Sequence, residues 1–396
     1  MPLNLRDKLR AVDGPRRPTA PVKAEPVFQD CWHDSRVLPL DAVPGAWELP
    51  MEMVRLMEPG TLPAQLAPEK ILYLDTETTG LSGGAGTVAF LVGIGYLTTE
   101  GFLVHQYLMR DYPEERYLLE NLRGLLTQFD VLCTFNGKSF DLPLLQSRLR
   151  MNRMDAACLD KPHIDLLHLA RRIWKMRLGR CNLGHLEEIV FGEAREDDIP
   201  GSQVPERYFA YLKTGNFSQL TPVLDHNRQD IFSLCRLLTH MATMYAAPEQ
   251  QRHEQDVFSM GVALEKNRHL DQARRCYRLA ARGLTKASSH RRLAHSYRRT
   301  GEGAEACAIW QEMIRLGEGW IEPYVELAKY YEHTARDLDA ALEVTRQALC
   351  KVAEPALRPP QTVQEAKNAL QYRYARLKRK WEKQATLFTS REDRRC

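Results

Sequence analysis

Asp75 and Glu77 stand two positions apart at the end of an apolar run, Ile71-Leu72-Tyr73-Leu74-Asp75-Thr76-Glu77-Thr78-Thr79-Gly80. In a strand alternate side chains share a face, so the two carboxylates point the same way. Held together, they repel each other and lose hydration unless a cation lies between them. A hard divalent ion with oxygen ligands meets that demand. Taken alone, the stretch fits equally well a strand whose polar face is solvated. Two more acids stand at the ends of elements. Asp141 follows the apolar Val131–Phe135 and the turn Asn136-Gly137-Lys138-Ser139, and it opens a helix whose first turn suits Pro143. There it could bind a metal or cap the helix. His226 and Asp230, four apart near the start of the apolar helix Val223–Met244, share one helical face.

The four acids span 155 positions, so only a particular order of elements brings them together. Residues 71–75, 87–97 and 102–109 read as three strands with tight connections, an antiparallel meander. A helix follows over Glu114–Phe129, with Tyr117, Leu118, Leu122, Leu125 and Leu126 on one side. Next come the short strand Val131–Phe135 and its helix. A further strand-then-helix unit begins at Pro162-His163-Ile164-Asp165 and runs into the basic stretch Arg171, Arg172, Lys175, Arg177, Arg180. The glycine-rich Leu81–Gly86 lacks the Gly-Lys-Ser/Thr ending and the following helix of a phosphate loop. This order is that of an α/β ribonuclease-H-like mixed sheet with flanking helices. There the first strand is central, the fourth lies beside it, and a late helix crosses its end. Asp75, Glu77, Asp141 and Asp230 could then converge.

The chain has 396 residues, room for two or three domains, and its 44 % hydrophobic and 27 % charged content suits a folded protein. No run is long or apolar enough to span a bilayer. The nine cysteines form no CxxC pair, and Cys133, Cys235, Cys276 and Cys307 sit in apolar runs. That pattern points to reduced core thiols and a cytoplasmic protein. Residues 1–68 hold 11 of the 22 prolines and read as a short N-terminal helix and an extended leader, partly docked through Trp32 and Trp47. From 251 onward 28 Lys and Arg face 19 Asp and Glu, and the rest of the chain holds 27 against 32. A basic back half attracts phosphates, or it consists of solvated helix faces. Ala273, Ala306 and Ala341 recur at spacings of 33 and 35, each between two short helices. A period near 34 is the tetratricopeptide one. A last helix, Gln364–Gln384, carries a basic face. The expected units are a leader (1–68), the ribonuclease-H-like domain (69–246), all-α tetratricopeptide-like helical repeats with a basic capping helix (250–384) and a tail (385–396).

Asp75-Thr76-Glu77-Thr78-Thr79-Gly80 resembles the first motif of DEDD-type 3′–5′ exonucleases. Asn136-Gly137-Lys138-Ser139-Phe140-Asp141 is similar to their second, and His226-Asn227-Arg228-Gln229-Asp230 stands where the third belongs. More narrowly, residues 70–244 resemble the YprB-type ribonuclease-H-like family, a bacterial group. That likeness includes Asp165-Leu166-Leu167, Asp197-Asp198-Ile199-Pro200-Gly201 and the His-Asn-x2-Asp ending. It implies a metal-dependent 3′–5′ exonuclease that hydrolyses DNA or RNA with two Mg²⁺ or Mn²⁺ ions. By that likeness Asp75 bridges both ions, Glu77 and Asp230 hold the one that activates water, and Asp141 the one beside the leaving oxygen. His226 then orients or deprotonates the water, although its His-x3-Asp spacing matches neither exonuclease group. Thr78, Gly80, Leu81, Asn136 and Lys138 are the implied substrate contacts, with Lys138 equally readable as a turn charge. The repeats would hold nucleic acid or a protein partner. Two other readings stand beside this one. They are a catalytically silent ribonuclease-H-fold scaffold that binds nucleic acid or protein, and an endonuclease on the same fold.

Overall fold

A computed structural model describes residues 30–60, 62–80, 86–195, 199–354 and 358–392. The expected N-terminal helix, residues 81–85 of the glycine-rich turn, and the Asp197-Asp198 pair lie outside the described residues.

Six strands among the described residues form one mixed sheet: β1 (Trp32–Leu38), β2 (Ile71–Thr78), β3 (Ala89–Thr98), β4 (Gly101–Leu108), β5 (Val131–Thr134) and β6 (His163–Asp165), in the order β1-β4-β3-β2-β5-β6. β2, β3 and β4 are the antiparallel meander, while β5 runs parallel to β2 from Ile71↔Val131 to Tyr73↔Cys133. β2 is therefore interior, with its apolar half buried and its polar half at the sheet's end. Its side chains alternate between two cores. Ile71 and Tyr73 enter one, and Leu72 and Leu74 the other. Asp75 and Glu77 continue the phase of Ile71 and Tyr73, while Thr76 continues that of Leu72 and Leu74.

Helices cover both faces. α2 (Glu115–Leu126) and α3 (Asp141–Met151) pack with Leu72 and Leu74. On the other face lie α4 (Leu166–Leu178) and the apolar side of α6 (Thr221–Ala246), through Ile231, Leu234 and Leu238. α5 (Val204–Thr214) stacks Tyr208 flat on Phe90 of β3, ring centroids 4.0 Å apart. Two glycines let α6 approach β3. A Cβ at Gly93 would meet Asn227 Oδ1 at 2.2 Å, and one at Gly95 would meet Ile231 Cγ2 at 2.5 Å.

The leader supplies two elements that its composition hides. β1 is an edge strand antiparallel to β4 from Trp32↔Leu108 to Leu38↔Phe102. Its side chains are mostly exposed, so an alternating apolar pattern is not required of it. α1 (Met51–Met57) buries Val54, Leu56 and Met57 in the core shared with α6.

The rest is helical: α7 (Glu254–Lys266), α8 (Leu270–Leu279), α9 (Lys286–Arg299), α10 (Gly303–Leu316), α11 (Glu322–Tyr330), α12 (Leu338–Ala353) and α13 (Pro360–Glu392). Ala273, Ala306 and Ala341 are fully buried where successive helices meet. Val257, Met260, Leu264 and Tyr277 join the core that α4 and α6 line. Many of this region's cations are used within it. Arg292 and Arg299 pair with Glu265, Arg298 with Glu326, and Arg376 and Lys380 with the buried Glu332. Burial pushes the Glu332 carboxyl up, but those two cations outweigh it and hold it at about 2. Much of the back half's basic character therefore joins helix to helix. No helix among the described residues is long and apolar enough to cross a membrane.

Candidate metal centre

The site lies where β2 leaves the sheet. A register shift between Glu77 and Thr78 bends the strand there, a distortion that re-aims side chains at the end of a ladder. The amino-terminal turns of α6 cross above it.

Three acidic or basic groups meet at this crossing. A carboxylate oxygen of Glu77, one of Asp230 and a ring nitrogen of His226 all lie within 4.8 Å of one another. His226 Nε2 is 3.6 Å from Asp230 Oδ2 and 3.9 Å from Glu77 Oε1. Asp75 sits beside them and is held separately. Asn227 Nδ2 donates to its Oδ2 at 2.9 Å. Burial pushes the Asp75 carboxyl well up, and the charges of Asp230, Glu77 and Asp141 push it further. Asp141 arrives from the other face of the sheet, where Thr76 Oγ1 donates to its Oδ1. Burial raises it to about 6 although the hydrogen bonds at Thr76 pull it down. Burial also raises Asp230, against Arg195 and His226.

Four carboxylates that repel one another through a partly buried space fit a hard divalent cation. Glu77, Asp230 and His226 form the tightest ligand cluster, with Asp75 and Asp141 alongside. The chain's own counter-charge here is Arg195, which sequence reasoning missed. Its guanidinium spans the buried Glu187 at 2.5 and 2.7 Å, donates to Asp230 Oδ1, and reaches His226 Nδ1 at 3.2 Å. No local pattern marks Arg195, because its partners come from a turn of π-helix (Glu187–Phe191) and from α6.

Asn227 was also missed as a working residue, although it lies inside the His-Asn-x2-Asp stretch. It is fully buried. While Nδ2 holds Asp75, Oδ1 accepts from Gln106 Nε2 at 2.9 Å, and Gln106 Oε1 accepts from Arg228 at 2.9 Å. This chain fixes the amide's orientation and so the carboxylate's. Gly93 makes room for it.

The remaining expected contacts divide. Asn136 lines the cleft beside Asp75. Its φ of 68° is unusual for a residue with a Cβ. Asp165 supports the turn from below by accepting from the Asn136, Lys138 and Leu167 amides at 2.8, 3.1 and 3.1 Å. Lys138 Nζ is placed 2.9 Å from Glu58 Oε1 at the end of α1. Thr78 Oγ1 donates to Gly80 O at 2.8 Å, closing the strand's exit.

The RNase H superfamily profile matches residues 72–242. Over 319 residues the chain is 32 % identical to protein YprB of Bacillus subtilis (strain 168), a match that covers 78 % of this chain and 75 % of YprB. Over 179 residues it is 26 % identical to a DNA polymerase of Pyrococcus glycovorans, covering 38 % of this chain and 23 % of the polymerase. A solved family B DNA polymerase from the archaeon Pyrobaculum calidifontis aligns at 12 % identity with a TM-score of 0.36, over 77 % of this chain and 46 % of that one.

Proposed function

The chain belongs to the family of Bacillus subtilis protein YprB, with an RNase H-like domain in its first part, and from that premise we propose that it is a metal-dependent nuclease of the DEDD 3′–5′ exonuclease type. One observation carries the reading: Glu77, Asp230 and His226 bring ligand atoms within 4.8 Å of one another, and Asp75 and Asp141, from β2 and α3, stand close enough that Asp230, Glu77 and Asp141 add to the burial that raises the Asp75 carboxyl. Sharing of the superfamily profile and partial likeness to a DNA polymerase support it.

Asp75, Glu77, Asp141 and Asp230 would hold two Mg²⁺ or Mn²⁺ ions, which when bound supply an activated water and charge stabilisation at the scissile phosphate. The protein's own groups set the rest. Asn227 keeps Asp75 in one rotamer. Arginine has donors only, so His226 Nδ1 accepts from Arg195, and Nε2 faces Glu77 and Asp230. In that state His226 stands beside the two acids. It takes a proton from water only after Arg195 leaves Nδ1. Asn136, at the cleft's edge, is the proposed sugar or phosphate contact. The helices from 254 onward are read as tetratricopeptide-like repeats that hold nucleic acid or a protein partner.

The Arg195 contact to Asp230 favours one rival, a silent scaffold in which arginine permanently takes the cation's place. End-labelled single-stranded DNA and RNA, incubated in parallel with Mg²⁺ or Mn²⁺, separate the two. A ladder shortening from the 3′ end, reduced about a hundredfold or more by Asp75→Ala, is the expected result. Internal cuts with the same dependence would move the reading to an endonuclease. Absence of metal-dependent product would leave the scaffold.

A further inference from the structure

The basic stretch after His168 separates into two sets in the folded chain. Arg172 donates to Met57 O at 3.0 Å, and Arg177 grips the buried Asp256 at 2.8 Å. Those two join neighbouring elements. Arg171, Lys175 and Arg180 are exposed, and among the described residues none of them pairs with a carboxylate. Arg171 and Lys175 are one turn apart on α4 and share a face. Gly179, at φ 71°, ends the helix just before Arg180.

All three line one cleft of about 600 Å³, and Asp75 and Asp230 line it too. The half-buried Phe135 and the buried Leu167 add apolar wall to the cleft. The arrangement is polar in a specific sense. Its lining joins two of the acids to three like cations that no carboxylate among the described residues neutralises. Three unpaired cations facing one space repel one another, and a ligand with several negative charges relieves that.

We infer that this cleft holds an unpaired polynucleotide strand, with its phosphates on Arg171, Lys175 and Arg180 and a base against Phe135, leading into the carboxylates. The inference rests on the nuclease reading and names how that site takes its substrate. Repeated phosphates match three cations spaced along a wall, whereas a single phosphate meets only one or two. A duplex keeps its bases stacked inside, so the Phe135 ring reaches a base only in an unpaired strand. A cleft of this size accepts ligand-sized groups and not a double helix.

The test is fluorescence anisotropy of short labelled oligodeoxythymidine and oligouridine strands with chelator present, so that binding is read without hydrolysis. The variant is Arg171→Ala/Lys175→Ala/Arg180→Ala, with Arg116→Ala/Arg123→Ala as a charge-loss control on α2, across the sheet. Because the three cations hold no neighbour, the variant is expected to keep the wild-type melting temperature. It should bind at least one strand type about tenfold or more weaker, and its plot of log affinity against log salt should be shallower by about 2. The control should leave both unchanged. Arg180→Ala alone, outside the helix, should reduce the slope by about 0.7. An unchanged slope in the triple variant overturns the inference. So does a blunt duplex, or a free mononucleotide, bound as tightly as the strand. The two readings fail separately. Cation-dependent strand binding with no hydrolysis in Mg²⁺ or Mn²⁺ removes the nuclease and keeps the strand site, whereas hydrolysis with binding insensitive to the three cations does the reverse.

Discussion

Asp141 shows how a single carboxyl reports on the charge of the site. Its burial raises it from the usual 3.8 to about 6. A carboxyl raised in the folded state favours folding while it stays protonated, and that contribution is lost as pH rises from its unfolded value through its folded one. In metal-free protein the loss therefore falls between about pH 4 and pH 6. A side-chain amide at this position, neutral at every pH, escapes it. Asp141→Asn is expected to match wild type in urea unfolding near pH 4 and to exceed it by roughly 2–3 kcal/mol at pH 7. Added Mn²⁺ should narrow the gap at pH 7 by stabilising wild type more than the variant. A gap that is constant across pH would mean that Asp141 ionises normally and that the crowding of acids is relieved some other way. Asp75 and Glu77 were legible as a pair because strand periodicity alone decides that they share a face. Arg195 and Asn227 were not, because their partners lie on other elements.

At the scale of elements, the approach of α6 to β3 sets the site. Gly93 and Gly95 both lie under α6, but they face different neighbours. Gly93→Ala would drive a methyl into the Asn227 amide, and Gly95→Ala into Ile231 and the Phe102 ring. Overpacking of this kind costs about 1–3 kcal/mol at either position. The two variants should therefore lose similar stability in thermal melts. Only Gly93→Ala should also weaken Mn²⁺ binding, by about tenfold or more, because it moves the residue that orients Asp75. Titration calorimetry with Mn²⁺ reads this directly, and equal metal affinity in the two variants would reduce Asn227 to a packing role. The meander, the short fourth strand and α6 were all readable from period and turn residues, while the parallel run of that strand beside β2 was shown by the structure. β1 was not, since an edge strand is selected by its neighbour's open hydrogen bonds and leaves little pattern in its own side chains.

Over the whole molecule, the sheet unit and the helical region share one core. Arg177, on α4, and Asp256, on α7, form a nearly buried pair at their junction, 17 % and 4 % exposed at the side chain. Asp256→Ala leaves Arg177 unpaired and is expected to cost about 3 kcal/mol. Unfolding followed by both tryptophan fluorescence and circular dichroism should remain a single transition in wild type, since Val257, Met260 and Leu264 lie in the core of α4 and α6. Two separated transitions in wild type would show instead that the units fold independently of the junction. The recurrence of buried alanines near every 34 residues was visible in the sequence. The fate of the basic back half was not, because net charge does not say which cations face an acid on the next helix.

What the sequence determined by itself is what depends on near neighbours along the chain. Alternation places Asp75 with Glu77, a four-residue step places His226 with Asp230, and the run of strands and helices sets an RNase H-like sheet. Only the tertiary structure decided which charges remain unsatisfied. It put Lys138 on Glu58, Arg177 on Asp256 and Arg195 on Asp230, and it left Arg171, Lys175 and Arg180 facing the cleft. The reason is physical. Strand and helix periods act over a few residues, whereas a charge is paired or left open by whichever element folds against it.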